Sequence, residues 1–212
     1  MNLNKDIFYH LKRINRYNPY EKVKIGENIE TSNSFNPFFE QYNSSTNQVN
    51  IGTSENPKFI NSYDYFRDTV LKLSELKDKS TIDCRFVEAL AKQALSSQRY
   101  YMIYARELLW EQIRKISFEK LPSRQKCIWL ASDLSQIEFW KEKLGYQHGE
   151  YQVLKLECIG NLHRTYEGYL THGYYSMEEN TKHAINYWSG INDGSNEEIL
   201  FEGSVKIIEI VV

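Results

Sequence analysis

The sequence predicts an α+β domain, and three observations predict it. From about Ser62 to Ser117 apolar residues recur at helical spacing. CIWLAS (127–132) and the tail EEILFEGSVKIIEIVV are short, apolar and β-branched, as strands are. The resulting order is strand, helical block, strand, helix, strand, helix, strand. At 212 residues, a prior of about 150 residues per domain gives one domain, 1–212, that buries a core without disulfides or metal.

Each element has a local cause. IFYHLKRI (7–14) is aromatic and β-branched enough for a strand, Asn18-Pro19 turns the chain, and VKIGENI (23–29) holds another short extended piece. Residues 31–57 are rich in Ser, Thr and Asn, contain no Lys or Arg, and read as a surface loop. In the helical block (about 62–118) Phe86, Leu90, Ala94, Ile103, Leu108, Leu109 and Ile113 keep one face apolar, and Pro122 closes it. Asp133 is placed as an N-cap with Gln136 at the capping-box position and Gly145 as the stop, giving a helix over 134–144. YQVLKLECI (151–159) alternates as a half-exposed strand. Ser176 and Glu179 form a second capping signature for the helix carrying Ala184, Tyr187 and Trp188, which ends at Gly190. The tail forms one long strand, or two joined at Gly203.

Composition excludes several classes. Lys and Arg total 26 against 28 acids, net −2, so there is no strongly basic nucleic-acid domain. No run of about 18 apolar residues exists to cross a membrane, and the N-terminal apolar run is too short for a secretory segment. Cys84, Cys127 and Cys158 lie far apart with no CxxC pair, which fits a reduced, cytoplasmic protein. No phosphate-cradling glycine motif, H-E-x-x-H or G-x-S-x-G occurs, and the five histidines lack metal-ligand spacing, so no metal is expected. The 16 tyrosines suit core packing as well as stacking on a ligand.

Two constellations remain. Phe8-Tyr9-His10 with Arg13 lies near the start of an early strand, where an imidazole of fixed tautomer can bond a ribose hydroxyl and an Arg can pair with phosphate; a structural or surface histidine is the other reading. Asn196-Glu197-Glu198-Ile199-Leu200 opens the last strand with carboxylates that a sheet would orient toward a developing cation; a charged terminus that keeps an edge soluble is the other reading.

Taken in order, Phe8-Tyr9-His10, Ile128-Trp129-Leu130-Ala131-Ser132 and Glu198-Ile199-Leu200 resemble the three strands of the ADP-ribosyltransferase superfamily. The runs RELLWEQIRKISFEKLPSRQKCIWLASD, VLKLECIGNLH, AINYWSG and EILFEG are similar to a bacterial family of unassigned activity within it, and the last strand to that of DarT-type toxins. The resemblance implies a split β-sheet core with a helical insertion after the first strands. It also implies NAD as substrate, Glu198 as the catalytic residue, and Tyr9, His10, Arg13, Arg124, Ser132, Tyr187 and Trp188 at the cofactor. Arg13 or Arg124 would face the pyrophosphate. The first and last strands would pair, setting His10 and Glu198 across one cleft.

Asn196 stands where arginine-modifying members carry a Glu, and Glu197 faces the opposite side of its strand. Arginine is therefore disfavoured as acceptor, and a nucleic acid, another protein side chain or a small molecule stays open, in a toxin or phage-defence effector for which an antitoxin is a candidate partner. An NAD-dependent RNA 2′-phosphotransferase and a non-catalytic binding module are the alternatives. Arg106, Glu107, Glu111 and Arg114 read as surface ion pairs at helical spacing, or as a source of an arginine for the cofactor cleft.

Overall fold

The computed structural model describes residues 2–14, 22–31, 33–44, 47–76, 83–170 and 176–211. Its elements are β1 (Asn2–Arg13), β2 (Asn28–Glu30), α1 (Pro37–Ser44), β3 (Gln48–Asn50), β4 (Phe59–Asn61), α2 (Ser62–Leu76), α3 (Cys84–Ser117), β5 (Ile128–Leu130), α4 (Leu134–Leu144), β6 (Tyr151–Tyr166), α5 (Met177–Trp188) and β7 (Glu197–Ile210). The class is mixed α+β with antiparallel sheets. Contacts group the chain into two compact units, one of residues 1–39, 107–171 and 175–212, the other centred on 40–106.

In the second unit β3 and β4 form a two-stranded antiparallel sheet, and Tyr42 stacks parallel to Tyr104 at 5.8 Å. Residues 31–57 therefore contain a helix and a strand where the sequence read only a loop. At the start of α1, in the first unit, Phe39 is buried.

In the first unit β6 pairs along its length with β7 and, on its other edge, with β1. The far edge of β7 takes β5 against residues 199–201 and β2 against residues 204–206. Just past β5, Ala131 exchanges both backbone hydrogen bonds with Tyr9 of β1, at 2.9 and 2.8 Å. Strands β1, β6, β7 and β5 thus close into a ring. The expected pairing of the first and last strands does not occur: β6 separates them on one side and β5 on the other.

Side-chain alternation along the ring gives the unit its two layers. Phe8, Leu130, Leu154, Leu156, Cys158, Leu162, Ile199, Phe201, Val205 and Ile207 share the inward face and fill it. Gly160 and Gly203 oppose each other there. Their φ values are 156° and 149°, and a methyl group added at either would stand within about 3 Å of the Phe201 ring, so neither position has room for a side chain. On the outward face Leu200 packs with Trp110 of α3, Cys127, and Ala184, Tyr187 and Trp188 of α5. Elsewhere on that face α4 lays Ile137 against Ala131 and Val153.

Over 154–159 β6 alternates as expected, with Leu154, Leu156 and Cys158 buried against the partly exposed Lys155, Glu157 and Ile159, while Val153 at its start is buried as well. This strand also runs on to Tyr166, and the expected strand over 23–29 reduces to β2. The two capping signatures form as read. Asp133 accepts from the Gln136 amide at 3.0 Å and Gly145 takes φ 68° at the other end of α4. Both halves of the Ser176–Glu179 capping box are made.

Candidate functional site

The adjacent carboxylates of Glu197 and Glu198 leave β7 on opposite faces and enter different surroundings. Glu198 points outward beneath α3 and α5, where it is 4% exposed. Arg124, in the segment between α3 and β5, donates through Nη1 to Glu198 Oε2 at 2.7 Å and to the Tyr187 hydroxyl at 2.5 Å. Its other nitrogens reach Glu107 at 3.0 and 3.3 Å. Tyr187 in turn donates to Glu198 Oε2 at 2.5 Å. The rings of Trp110, Trp129 and Tyr187 surround the guanidinium at 5.2–5.8 Å. Burial opposes the charge on Arg124, but the carboxylates of Glu107 and Glu198 outweigh it and hold its pKa well above the ordinary value. Burial raises the Tyr187 pKa; Arg124 opposes this and the Glu198 charge adds to it, and the hydroxyl stays protonated, as a donor must be.

Arg124 is fixed by its backbone as well. Asn36 Nδ2 donates to the carbonyls of Arg124 and Cys127 at 2.7 and 3.0 Å. Beside it, Glu111 pairs with Arg114 at 2.8 Å and accepts from Ser123 Oγ at 2.8 Å, while Arg114 Nη1 donates to the carbonyls of Glu119 and Leu121. Glu107 and Glu111 are 1% and 6% exposed, so the α3 ion pairs are interior ones rather than the surface pairs the spacing suggested. Arg114 closes the end of α3 and does not reach a ligand cleft.

Glu197 points the other way, toward the inward face at the open end of the ring. Ser132 Oγ and Gln136 Nε2 each donate to its Oε2 at 3.3 Å. Arg164 Nη1 donates to both of its oxygens, at 2.8 and 2.7 Å, and to Ser132 Oγ at 3.0 Å. The Arg164 guanidinium lies over the Phe8 ring at 5.8 Å. Gln136 is held in turn, its Oε1 accepting from the Ser132 amide at 2.9 Å. Several elements therefore meet here: β1 through Phe8, the end of β5 and α4 through Ser132 and Gln136, β6 through Arg164, and β7 through Glu197.

His10 shares the Phe8 face of β1. Its Nδ1–H donates to the Trp129 carbonyl at 2.7 Å, which fixes the tautomer and leaves Nε2 as an acceptor. Among the described residues nothing hydrogen-bonds Nε2. Burial is the main influence on the ring and lowers its pKa, only partly offset by the Trp129 bond, so the imidazole is neutral.

Register aligns these groups. Tyr9 opposes Ala131 and Leu130 opposes Ile199, so Phe8, Ser132 and Glu197 form one row across β1, β5 and β7, with His10, Leu130 and Ile199 in the next. At about 4.8 Å per strand, the strands bearing His10 and Glu197 lie about 10 Å apart.

Of the residues expected at a cofactor, His10 and Ser132 share this face. Tyr9 alternates to the outward side and packs on the Ala131, Ile137 and Val153 cluster. Arg13 sits over the Tyr146 ring at 5.8 Å, at the far end of β1. Arg124, Tyr187 and Trp188 lie behind the sheet with Glu198. Trp188 is 1% exposed and its indole N–H is taken by the Trp110 carbonyl, so it offers no surface for a base to stack on. Gln136 and Arg164 were missed. The first is hidden in a capping signature; the second is a lone cation in a strand, visible only through its two-residue spacing from Leu162.

A protein-family model matches residues 8–212, nearly the whole chain. The chain belongs to the DUF2441 family, described as a protein of unknown function. That match takes in both carboxylate sites and both strands that carry His10 and Glu197. No curated protein matches the chain. No helix among the described residues is long and apolar enough to cross a membrane.

Proposed function

We propose that this chain is an NAD-dependent ADP-ribosyltransferase whose working carboxylate is Glu197 rather than Glu198. The observation that carries the reading is the presence of His10, Ser132 and Glu197 on one face of three neighbouring strands, β1, β5 and β7. The resemblance of those same three strands to the superfamily supports it. Glu198 is unsuited to the role because Arg124 and Tyr187 already occupy it and it is buried behind the sheet.

The chemistry follows from the groups present. In the reaction the bond between ribose C1′ and nicotinamide breaks, nicotinamide leaves with the electron pair, and the acceptor forms the new bond to C1′ as it gives up a proton. The ribose carries oxocarbenium character meanwhile, as in glycoside cleavage. A carboxylate on the ribose 2′-hydroxyl stabilises that charge only if it is held still. Ser132 and Gln136 hold Glu197, and Gln136 is itself fixed by the Ser132 amide. His10 Nε2, an acceptor, would take a hydrogen bond from a hydroxyl of the adenosine ribose. The acceptor substrate is a macromolecule, nucleic acid or protein.

The test is nicotinamide release from NAD, with transfer of label from adenine-labelled NAD into a host lysate. Glu197→Gln should lower both by about 100-fold or more, while Glu198→Gln stays within a few-fold of the unaltered chain. The reverse ranking, or no release by the unaltered chain, defeats the proposal. One observation favours a binding module instead, since Arg164 satisfies both Glu197 oxygens. Calorimetric heat with NAD in the absence of any nicotinamide release would decide for that reading.

A further inference from the structure

We infer that Arg164 forms an anion subsite at the open end of the ring, suited to the phosphate of a nucleotide. The inference deepens the reading of Glu197 and rests on it for the identity of the nucleotide, though not for the anion. Its basis is how the guanidinium is used. All of its hydrogen bonds run through one nitrogen, Nη1, to Ser132 Oγ and the two Glu197 oxygens. Among the described residues, Nε and Nη2 make none. These two nitrogens present parallel N–H bonds along one edge of a planar group, the fork that binds two oxygens of a phosphate at once.

Position adds to this. The side chain is 44% exposed, so the edge is reachable, yet it is not a loose surface arginine. The guanidinium rests over the Phe8 ring at 5.8 Å, and Glu197 and Ser132 hold its inner nitrogen. Its conformational freedom is therefore already lost before an anion arrives. The two arginines that the sequence offered for phosphate are both otherwise engaged. Arg124 is enclosed between Glu107 and Glu198, and Arg13 lies over Tyr146. Glu197 is held by Nη1 of the same guanidinium, so an anion on the fork and the carboxylate share one side chain.

Titration calorimetry of the full chain with inorganic pyrophosphate, ADP and adenosine tests the subsite without any turnover. Pyrophosphate and ADP should bind, and Arg164→Gln should weaken both by roughly 10- to 100-fold. Adenosine affinity should stay the same. Arg164→Lys, which keeps the charge and loses the fork, should fall between the two, and Arg13→Gln should match the unaltered chain. An unchanged melting temperature in Arg164→Gln confirms that folding is intact; if it falls, Arg164→Lys carries the comparison.

Equal affinity of the unaltered and Arg164 chains for pyrophosphate and ADP overturns the inference, as does failure of the unaltered chain to bind either. The two proposals fail separately. Arg164-dependent ADP binding without NAD turnover removes the transferase and keeps the subsite. Glu197-dependent turnover with an unchanged KM in Arg164→Gln removes the subsite and keeps the transferase.

Discussion

Arg124 bridges two buried carboxylates, Glu107 and Glu198. Removing the cation and removing one anion should therefore have very different consequences. Arg124→Leu strips hydrogen bonds from Glu107, Glu198 and Tyr187 and takes from two carboxylates, 1% and 4% exposed, the cation they share. Breaking a buried pair in this way costs about 3–5 kcal/mol. In a chain of this size that lowers the melting temperature by about 6–20 °C. Glu198→Gln leaves Arg124 paired with Glu107, and the new side-chain oxygen still accepts from Arg124 and Tyr187. Its cost should be within about 1 kcal/mol. Urea unfolding of the two variants beside the unaltered chain gives both numbers. If Arg124→Leu costs less than about 1 kcal/mol, or Glu198→Gln costs as much as Arg124→Leu, the charge accounting of this cluster is wrong.

Gly160→Ala should cost about 3 kcal/mol or more, because the added methyl would stand 2.3 Å from the Glu202 carbonyl oxygen at a φ of 156°; a melting temperature within about 2 °C of the unaltered chain would contradict this. Stability should also fall with acid through the histidines. Burial is the first cause lowering the pKa of both His10 and His163 from 6.5, so below that value the unfolded chain takes up protons that the folded chain resists. The stabilisation is fully present above 6.5 and is lost as pH falls through the folded-state values. His163→Gln should flatten the decline of unfolding free energy in that range, measured by urea titrations at successive pH values, and an unchanged slope would count against it.

What was legible in the sequence was local. Asp133 with Gln136 and Gly145, and Ser176 with Glu179, read correctly because a cap involves residues three or four apart. What failed was set by partners distant in the chain. β6 continues past the expected residue 159 with Leu162 buried on one face and His163 and Thr165 on the other, which leaves no alternation to follow. Arg124 lies in a polar segment, PSRQK, that reads as exposed, and it is buried because α3 and β7 bring a carboxylate from either side. Which faces of β7 Glu197 and Glu198 take was set in the same way. Alternation guarantees that they face apart but not which face the helices cover, and the apolar residues of β7 continue on both.

The two carboxylates also depend on each other mechanically. Glu198 is tied to Arg124 and Tyr187, hence to α5 and to the segment before β5, while Arg124 is tied to Glu107 of α3. These bonds fix the first residues of β7 against everything behind the sheet. Glu197 is the next residue along a strand whose direction is thereby set, and β5, which carries the chain from Arg124 to Ser132, is positioned by the same anchor. A loose strand end would let a carboxylate find solvent and other cations. Here its backbone is clamped on one face so that its side chain meets Ser132, Gln136 and Arg164 on the other. A buried charge cluster is a weak source of stability, and fixing β7 against β5 gives this one a use that its energetics alone would not.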